Sequence, residues 1–284
     1  MKLRVEQDSE LLEYLYNNLD MPKKKIKQYL THGAIYVNNV KTTKYNYKLV
    51  KGMNIVIDTN NKNKKVLPFD VVFEDDQIIV VNKPSGLLTI ATNKEKDKTL
   101  YHIVSDYLKS KDKNSKVFIV HRLDKDTSGI VILAKNERIK NQLQENWNEY
   151  VSLREYVAVV HGKLKNEEGR VVQNLKETKT NLVYVTKKGD GKEAITNYKV
   201  IKATDNYSLV NIEIETGRKN QIRVHMQNLG HPVVGDLRYA CESDPLGRLA
   251  LHAFKLCFYD PVTGEVMQFE TPYPGPFKNL MLRK

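Results

Sequence analysis

"FIVHRLDKDTSGIVILAK", residues 118–135, sets two aspartates in a short polar stretch between two apolar runs rich in β-branched residues. The flanks read as strands and the centre as a loop, so the unit is strand, loop, strand. Asp126, followed by Thr127, Ser128 and Gly129, has turn chemistry: short oxygen side chains bond nearby backbone N–H groups, and glycine accepts positive φ. Asp124 has His121, Arg122 and Lys125 close by in sequence. A carboxylate beside a guanidinium stays charged and is oriented by paired hydrogen bonds, so Asp124 reads as a nucleophile, a charge stabiliser or a loop salt bridge. These residues alone leave the three open.

Outward from this unit, strands and helices mix without regular alternation, which favours α+β over a doubly wound parallel sheet. "VVFEDDQIIVVNKPSG" (71–86) reads as a strand and a turn, "TLYHIVSDYLKSKDK" (99–113) as a helix, and "NQLQENWNEY" (141–150) as a helix. "REYVAVVHGKL" (154–164) alternates as a strand, "AITNYKVIKATDNYSLVNIEIETG" (194–217) reads as a hairpin-like pair, and "RKNQIRVHMQNLG" (218–230) as a helix ended by Gly230. "LHAFKLCFYDP" (251–261) and "VMQFETP" (266–272) return to strand. Lysine-rich stretches at 109–116 and 186–193 read as solvated loops or as the lining of a phosphate-binding groove.

The first 66 residues hold 13 Lys+Arg against 6 Asp+Glu, more than half of the chain's net charge of +12. They read as a polyanion-binding module: helices through "SELLEYLYNN" and "KKKIKQYLTHG", the second closed by Gly33, and strands in "AIYVNNVK" and "MNIVID". Residues 59–68 read as a linker. No apolar run approaches the roughly 18 residues of a membrane span, and acids stand where a signal peptide needs an apolar stretch. A cytoplasmic location without membrane association is the expectation. Cys241 and Cys257 fit neither a CxxC pair nor a zinc site.

"DKDTS" superficially resembles the DxDxT of magnesium phosphotransferases, but "HRL" separates it from "VFIV", and no further carboxylates can be placed nearby. A more extensive resemblance is to the RluA-type pseudouridine synthases. "HRLDKDTSGIVILAK" resembles their catalytic motif, "VVNKPSGLLT" (80–89) their first, "REYVAVVHG" (154–162) their tyrosine motif, "TGRKNQIRVHMQNLGHPVVGDLRY" (216–239) their third, and "LHAFKLCFYDPVTGE" (251–265) their closing segment. Residues 1–58 resemble the S-four-like (αL) RNA-binding domain through "KKKIKQYLTHGAIYVNNVK" and the glycine of "LVKGMNIVI".

The resemblance implies an α+β fold with a mixed, largely antiparallel catalytic sheet and flanking helices at 69–284, behind the small domain at 1–58. It implies an isomerase that cuts the glycosidic bond of a uridine in RNA, turns the base and rejoins it through carbon. Neither metal nor organic cofactor is expected. By motif, Asp124 is the catalytic carboxylate, Arg223 its basic partner, and Tyr156 the ring packed on the target base and a proton-transfer group. Arg122 takes the place of the extruded base, and His121 orders the loop. Lys83, Arg218, Gln221 and the helix lysines Lys23, Lys24, Lys25 and Lys27 are expected to contact RNA. Asn220 stands where the family most often has histidine. Large-subunit ribosomal RNA, free or in a pre-ribosomal particle, is the expected substrate and a monomer the expected state. A tRNA-directed synthase and a non-catalytic RNA-binding or ribosome-assembly protein are the alternatives.

Overall fold

The computed structural model describes residues 1–38, 40–58, 67–93, 95–239 and 243–282. Of the expected linker, residues 59–66 lie outside them, as does Cys241; Cys257 is buried and free. The chain divides into two units, Met1–Pro68 with Val104–Lys116, and Phe69–Ile103 with Val117–Lys284.

In the smaller unit the elements are β1 (Lys2–Arg4), β2 (Ser9–Glu10), α1 (Leu11–Asn18), α2 (Lys23–Thr31), β3 (Ile35–Val37), β4 (Val40–Thr42), β5 (Lys48–Leu49) and β6 (Asn54–Ile57). β1, β6, β3 and β4 form one sheet in that order, and β2 pairs β5. Helical spacing sorts the side chains of α2: Ile26, Tyr29 and Leu30 are buried, Lys23, Lys24 and Lys27 are exposed, and Lys25 is half-buried. Gly33, at φ +62°, turns the chain out of the helix in the left-handed conformation that glycine accepts without strain.

The larger unit is built on one sheet. Its elements begin with β7 (Val71–Glu74), β8 (Ile78–Lys83), α3 (Leu100–Lys111, of which residues from Val104 group with the smaller unit), β9 (Phe118–Ile119), β10 (Ser128–Ala134), α4 (Glu137–Glu145) and α5 (Trp147–Tyr150). They continue with β11 (Val151–His161), β12 (Glu168–Glu177), β13 (Val183–Thr186), β14 (Lys192–Ala203), β15 (Tyr207–Ile214), α6 (Gln221–Asn228), β16 (Leu251–Tyr259), β17 (Val266–Glu270) and α7 (Gly275–Leu280). The order is β13-β12-β14-β15-β11-β16-β10-β8-β7, with β17 on β16 and β9 on β10. Among the described strands every pairing is antiparallel except β10 with β16, so the fold is α+β, as expected.

Two local readings are refined. Residues 71–86 make two strands, β7 and β8. The helix expected over 141–150 begins earlier, capped by Asn136, whose Oδ1 accepts from the Ile139 N–H at 2.9 Å, and it breaks into α4 and α5. The pair β12–β13 has no counterpart in the sequence reading.

β16 carries the geometry that matters. Ala253 lies opposite Tyr156 on its antiparallel neighbour β11 and opposite Gly129 on its parallel neighbour β10. Tyr156 and the end of the Asp124 loop are therefore two strand spacings apart, about 10 Å. The β11–β16 register slips between Glu155 and Tyr156, an irregularity of the kind that re-aims a side chain. Gly129 makes the parallel contact possible: at φ +121°, a Cβ there would stand 2.2 Å from the Ala253 carbonyl oxygen.

Candidate active site

The loop between β9 and β10 is tied down from below by the segment after β8. Lys83 Nζ donates to the carbonyls of Pro84 (3.1 Å), Leu87 (2.8 Å) and Lys125 (3.0 Å). The Gly86 N–H also reaches the Lys125 carbonyl (2.9 Å), Ser85 Oγ the Asp126 carbonyl (2.6 Å) and Thr89 Oγ1 the Leu123 carbonyl (2.7 Å). Lys83 is fully buried, and burial pulls its pKa down to about 7 against the fields of Asp126 and Asp124. It has no surface to offer a phosphate, which corrects its assignment to RNA. Its N–H donors are spent on backbone carbonyls, and what it holds is the loop.

From above, His121 Nε2 accepts the Ile132 N–H at 3.0 Å while its ring lies 4.8 Å from that of Trp147. Burial first, then Arg154, pulls the imidazole to about 3, so it is neutral and serves as a loop-ordering acceptor. Behind the loop, Arg248 Nη2 donates to Ser128 Oγ (2.7 Å). Ser128 meets His252 Nδ1 (2.8 Å), and His252 Nε2 meets Thr271 Oγ1 (3.0 Å).

The loop so held presents Asp124, half-buried, to a cavity of about 750 Å³ that is also lined by Arg122, Arg154, Tyr156, Arg218 and Arg223. Asp124, Tyr156 and Arg223, drawn from three distant segments, share this space. Among the described residues no donor is hydrogen-bonded to the Asp124 carboxylate.

Arg223 is not paired as expected. Its Nε and Nη2 each donate at 2.7 Å to the two oxygens of fully buried Asp236, its Nη1 donates to Asn220 Oδ1 at 3.0 Å, and it lies 5.0 Å over the Tyr239 ring. The two-toothed partner is Asp236, and Asp124 acts on Arg223 through its field. Burial opposes the charge on Arg223, but the bonds to Asp236 and the fields of Asp236 and Asp124 overcome it and hold the pKa above its ordinary value. Three of the five guanidinium N–H groups are spoken for, and two remain for the cavity.

Tyr156 sits on β11 with its phenol pushed up to about 12, by burial first and also by the Asp124 charge, with Arg154 opposing. Arg154, unnoticed in the sequence although it opens the "REYVAV" stretch, donates from Nη2 to the Glu215 carbonyl at 2.6 Å; burial lowers its pKa.

At the start of α6, Asn220 adopts φ +53°, a left-handed conformation that asparagine tolerates, and its amide is shared between Arg223 and the Tyr239 hydroxyl (3.0 Å). Gln221 is corrected as an RNA contact: it is buried, its Oε1 accepts from Thr216 Oγ1 (2.8 Å) and the Arg218 N–H (3.0 Å), and its Nε2 donates to the Ile195 carbonyl and Thr196 (both 2.9 Å). It fastens α6 to β14. Arg218 is exposed, with Nε on the Glu193 carbonyl at 2.8 Å, and Arg122 is exposed on the cavity rim. In the smaller unit Lys23, Lys24 and Lys27 border a separate hollow of about 570 Å³, where Lys23 Nζ lies 5.1 Å over the Tyr16 ring.

Residues 77–228 match the family model described as RNA pseudouridylate synthase. The uncharacterized RNA pseudouridine synthase YhcT of Bacillus subtilis is 33% identical over 97% of this chain and 93% of its own. Ribosomal large subunit pseudouridine synthase D of Vibrio cholerae is 32% identical over 93% and 87%. Among solved structures, human RNA pseudouridylate synthase domain containing 1 superposes with a TM-score of 0.59 at 26% identity, covering 73% of this chain and 84% of that one.

Proposed function

We propose, on the premise that this chain belongs to the RNA pseudouridylate synthase family and is therefore an isomerase, that it converts specific uridines of ribosomal RNA with Asp124 as the catalytic carboxylate. The observation that carries the assignment is the placement of Asp124: a carboxylate without a hydrogen-bond donor among the described residues, on a loop whose backbone is pinned from both sides, facing a cavity rich in guanidinium groups. Cationic walls suit a phosphodiester chain. The ribosomal substrate is supported by relatives named ribosomal large subunit pseudouridine synthase D.

In the reaction the C1′–N1 bond of uridine is exchanged for C1′–C5, the C5 proton leaves and a proton arrives at N1. The uridine must first leave its stack, at a cost of a few kcal/mol, and exposed Arg122 on the rim is placed to fill the gap with its planar guanidinium. The Tyr156 ring then offers the base a new stacking partner, worth about 1–3 kcal/mol. Asp124 forms a transient bond either to ribose C1′, as the C1′–N1 bond breaks and N1 takes the electron pair, or to C6 of the base by addition, and that bond breaks again as or after C1′–C5 forms, which returns the carboxylate. Because the phenol is held at about 12 it enters the reaction protonated, so its oxygen takes the C5 proton only as it passes its own on. Exposed Lys23, Lys24 and Lys27 add phosphate contacts from the smaller unit, for which we infer an RNA-binding role in a monomer acting in the cytoplasm.

The test is a transcriptome-wide pseudouridine map of cells with the gene, without it, and with Asp124→Asn or Asp124→Ala in its place. Ribosomal uridines that lose modification in all three altered strains support the reading. Sites confined to tRNA would replace the substrate, and no Asp124-dependent site in any RNA would sink the catalytic assignment.

A further inference from the structure

Asp124 and Arg223 line two cavities. The second, of about 760 Å³, lies among the Ser85–Gly86 turn, the loop Arg122–Asp126 and residues 235–238 and 244–249; Tyr156 and Arg154 are not part of it. Six basic side chains line it against four acidic ones. Most of the basic groups are committed: Arg223 to Asp236, Lys219 to Glu177, Arg238 to the Asn181 carbonyl and Arg248 to Ser128. Arg122 and Lys125 are exposed and, among the described residues, form no side-chain hydrogen bond or ion pair. Two uncommitted cations at a concave wall suit a phosphate.

At the lip of this chamber stands Leu237, 78% exposed, the most exposed of the large apolar side chains among the described residues. A lone exposed leucine on a mobile loop would mean little. This one is held out by a stiff turn. Asp236 Oδ1 accepts the N–H groups of Arg238 and Tyr239, both at 3.2 Å, while the same carboxylate clamps Arg223. On the near side Gly235, at φ +74°, runs so close to Arg248 that a Cβ would lie 2.2 Å from its carbonyl oxygen. On the far side Arg238 Nη2 is fixed to the Asn181 carbonyl at 2.6 Å. The turn cannot fold Leu237 away without loosening Arg223. An apolar side chain presented rigidly beside a free cation matches one end of a nucleotide to each: base on leucine, phosphate on the Lys125 ammonium.

We infer that this chamber is a second nucleotide subsite, which receives the nucleotide adjoining the target uridine in the same strand, its base against Leu237 and its phosphate on Lys125, while Arg122 fills the gap the uridine leaves. The inference rests on the RNA isomerase reading. Because Asp124 belongs to both cavities, filling the second fixes the strand on either side of the nucleotide delivered to the first. Leucine makes no hydrogen bond and has no ring, so the subsite selects by apolar contact area and favours a purine neighbour over a pyrimidine.

The test uses an RNA oligonucleotide carrying the uridine mapped for this enzyme, and two further oligonucleotides with an abasic nucleotide 5′ or 3′ of it. Single-turnover rates are measured against enzyme concentration. For the wild type, one abasic RNA raises half-saturation about tenfold, equivalent to about 1.4 kcal/mol of lost apolar contact. Leu237→Ser raises half-saturation on intact RNA to the same extent and suffers no further loss on that abasic RNA, because both changes remove one contact. Leu237→Met restores it, and Lys125→Gln lowers the slope of log affinity against log salt by about 0.7, one phosphate contact on a single strand. Leu237→Ser that binds intact RNA like the wild type, or losses that multiply, would overturn the subsite. A wild type inert on the oligonucleotide would instead count against the functional reading beneath it.

Discussion

Replacing Gly129 with alanine tests whether the β10–β16 contact spaces the site. Two costs apply. The backbone sits at φ +121°, where an L side chain is strained by about 1–3 kcal/mol. The new Cβ would also lie 2.2 Å from the Ala253 carbonyl oxygen and 2.6 Å from its nitrogen, so the strands must part by about 1 Å, which as overpacking costs about 1–3 kcal/mol. Alanine returns about 0.4–1 kcal/mol by restricting the unfolded chain. The net is a loss of about 1–5 kcal/mol, read as a fall of about 2–4 °C per kcal/mol for a unit of this size. Gly86→Ala separates the terms: its φ is +83° but a Cβ there has no atom within 4 Å, so it carries the strain without the clash. Thermal unfolding should rank wild type, Gly86→Ala, Gly129→Ala in falling order. A shift of about 1 Å between Gly129 and Ala253 also separates the Asp124 loop from Tyr156, and such a misplacement costs up to about 100-fold in rate. Equal melting temperatures for the two variants, or full single-turnover activity in Gly129→Ala, would refute the spacing argument.

Tyr156→Phe keeps the ring and removes the hydroxyl; it should hold RNA with wild-type half-saturation but react at least about 100-fold more slowly, whereas Tyr156→Ala should lose about 1–3 kcal/mol of binding as well. Equal half-saturation in both would show that the ring does not stack. Asp236→Asn removes the charge that clamps Arg223; breaking a buried pair costs about 3–5 kcal/mol in denaturant unfolding, and the rate should fall more than RNA affinity. Unchanged stability would mean the pair is not closed in solution. Lys83 has a folded pKa near 7, below its ordinary 10.5, so between those values the unfolded chain holds a proton that the folded one sheds. Wild-type stability relative to Lys83→Met should therefore rise with pH from about 7 to 10.5, at up to about 1.4 kcal/mol per unit, and level off below 7. A flat difference across that window would contradict the burial of the amine.

Much of the site was written locally. The strand, loop, strand reading of 118–135 holds because β-branched residues flank a run of turn formers, and Gly33 and Gly230 end their helices at positive φ. Other parts depend on pairings far apart in the chain. Nothing near Ser128 announces His252, and nothing in "QIRVH" names Asp236, 13 residues on, as the carboxylate that Arg223 grips. Lys83 and Gln221 stand in segments that surround the site, and nearness in a motif does not say whether a polar side chain faces substrate or interior. Both turned inward, where buried carbonyls needed donors. The hairpin β12–β13 escaped notice because its outward positions are charged and its apolar ones sparse, so alternation is weak over "EGRVVQNLKE".

The position of β16 also orders events in time. Asp124, Tyr156 and Arg223 have all been synthesised by residue 223, yet the strand that sets the first two at their distance ends at Tyr259. A chain growing on the ribosome thus carries all three candidate residues well before it carries the ruler between the first two, and the partner that Gly129 awaits lies 124 residues downstream. Closure of so distant a parallel contact is the slow kind of step in folding. The candidate site is therefore among the last features of the larger unit to be set, and a product cut short before β16 has the motifs but not the strand that spaces them.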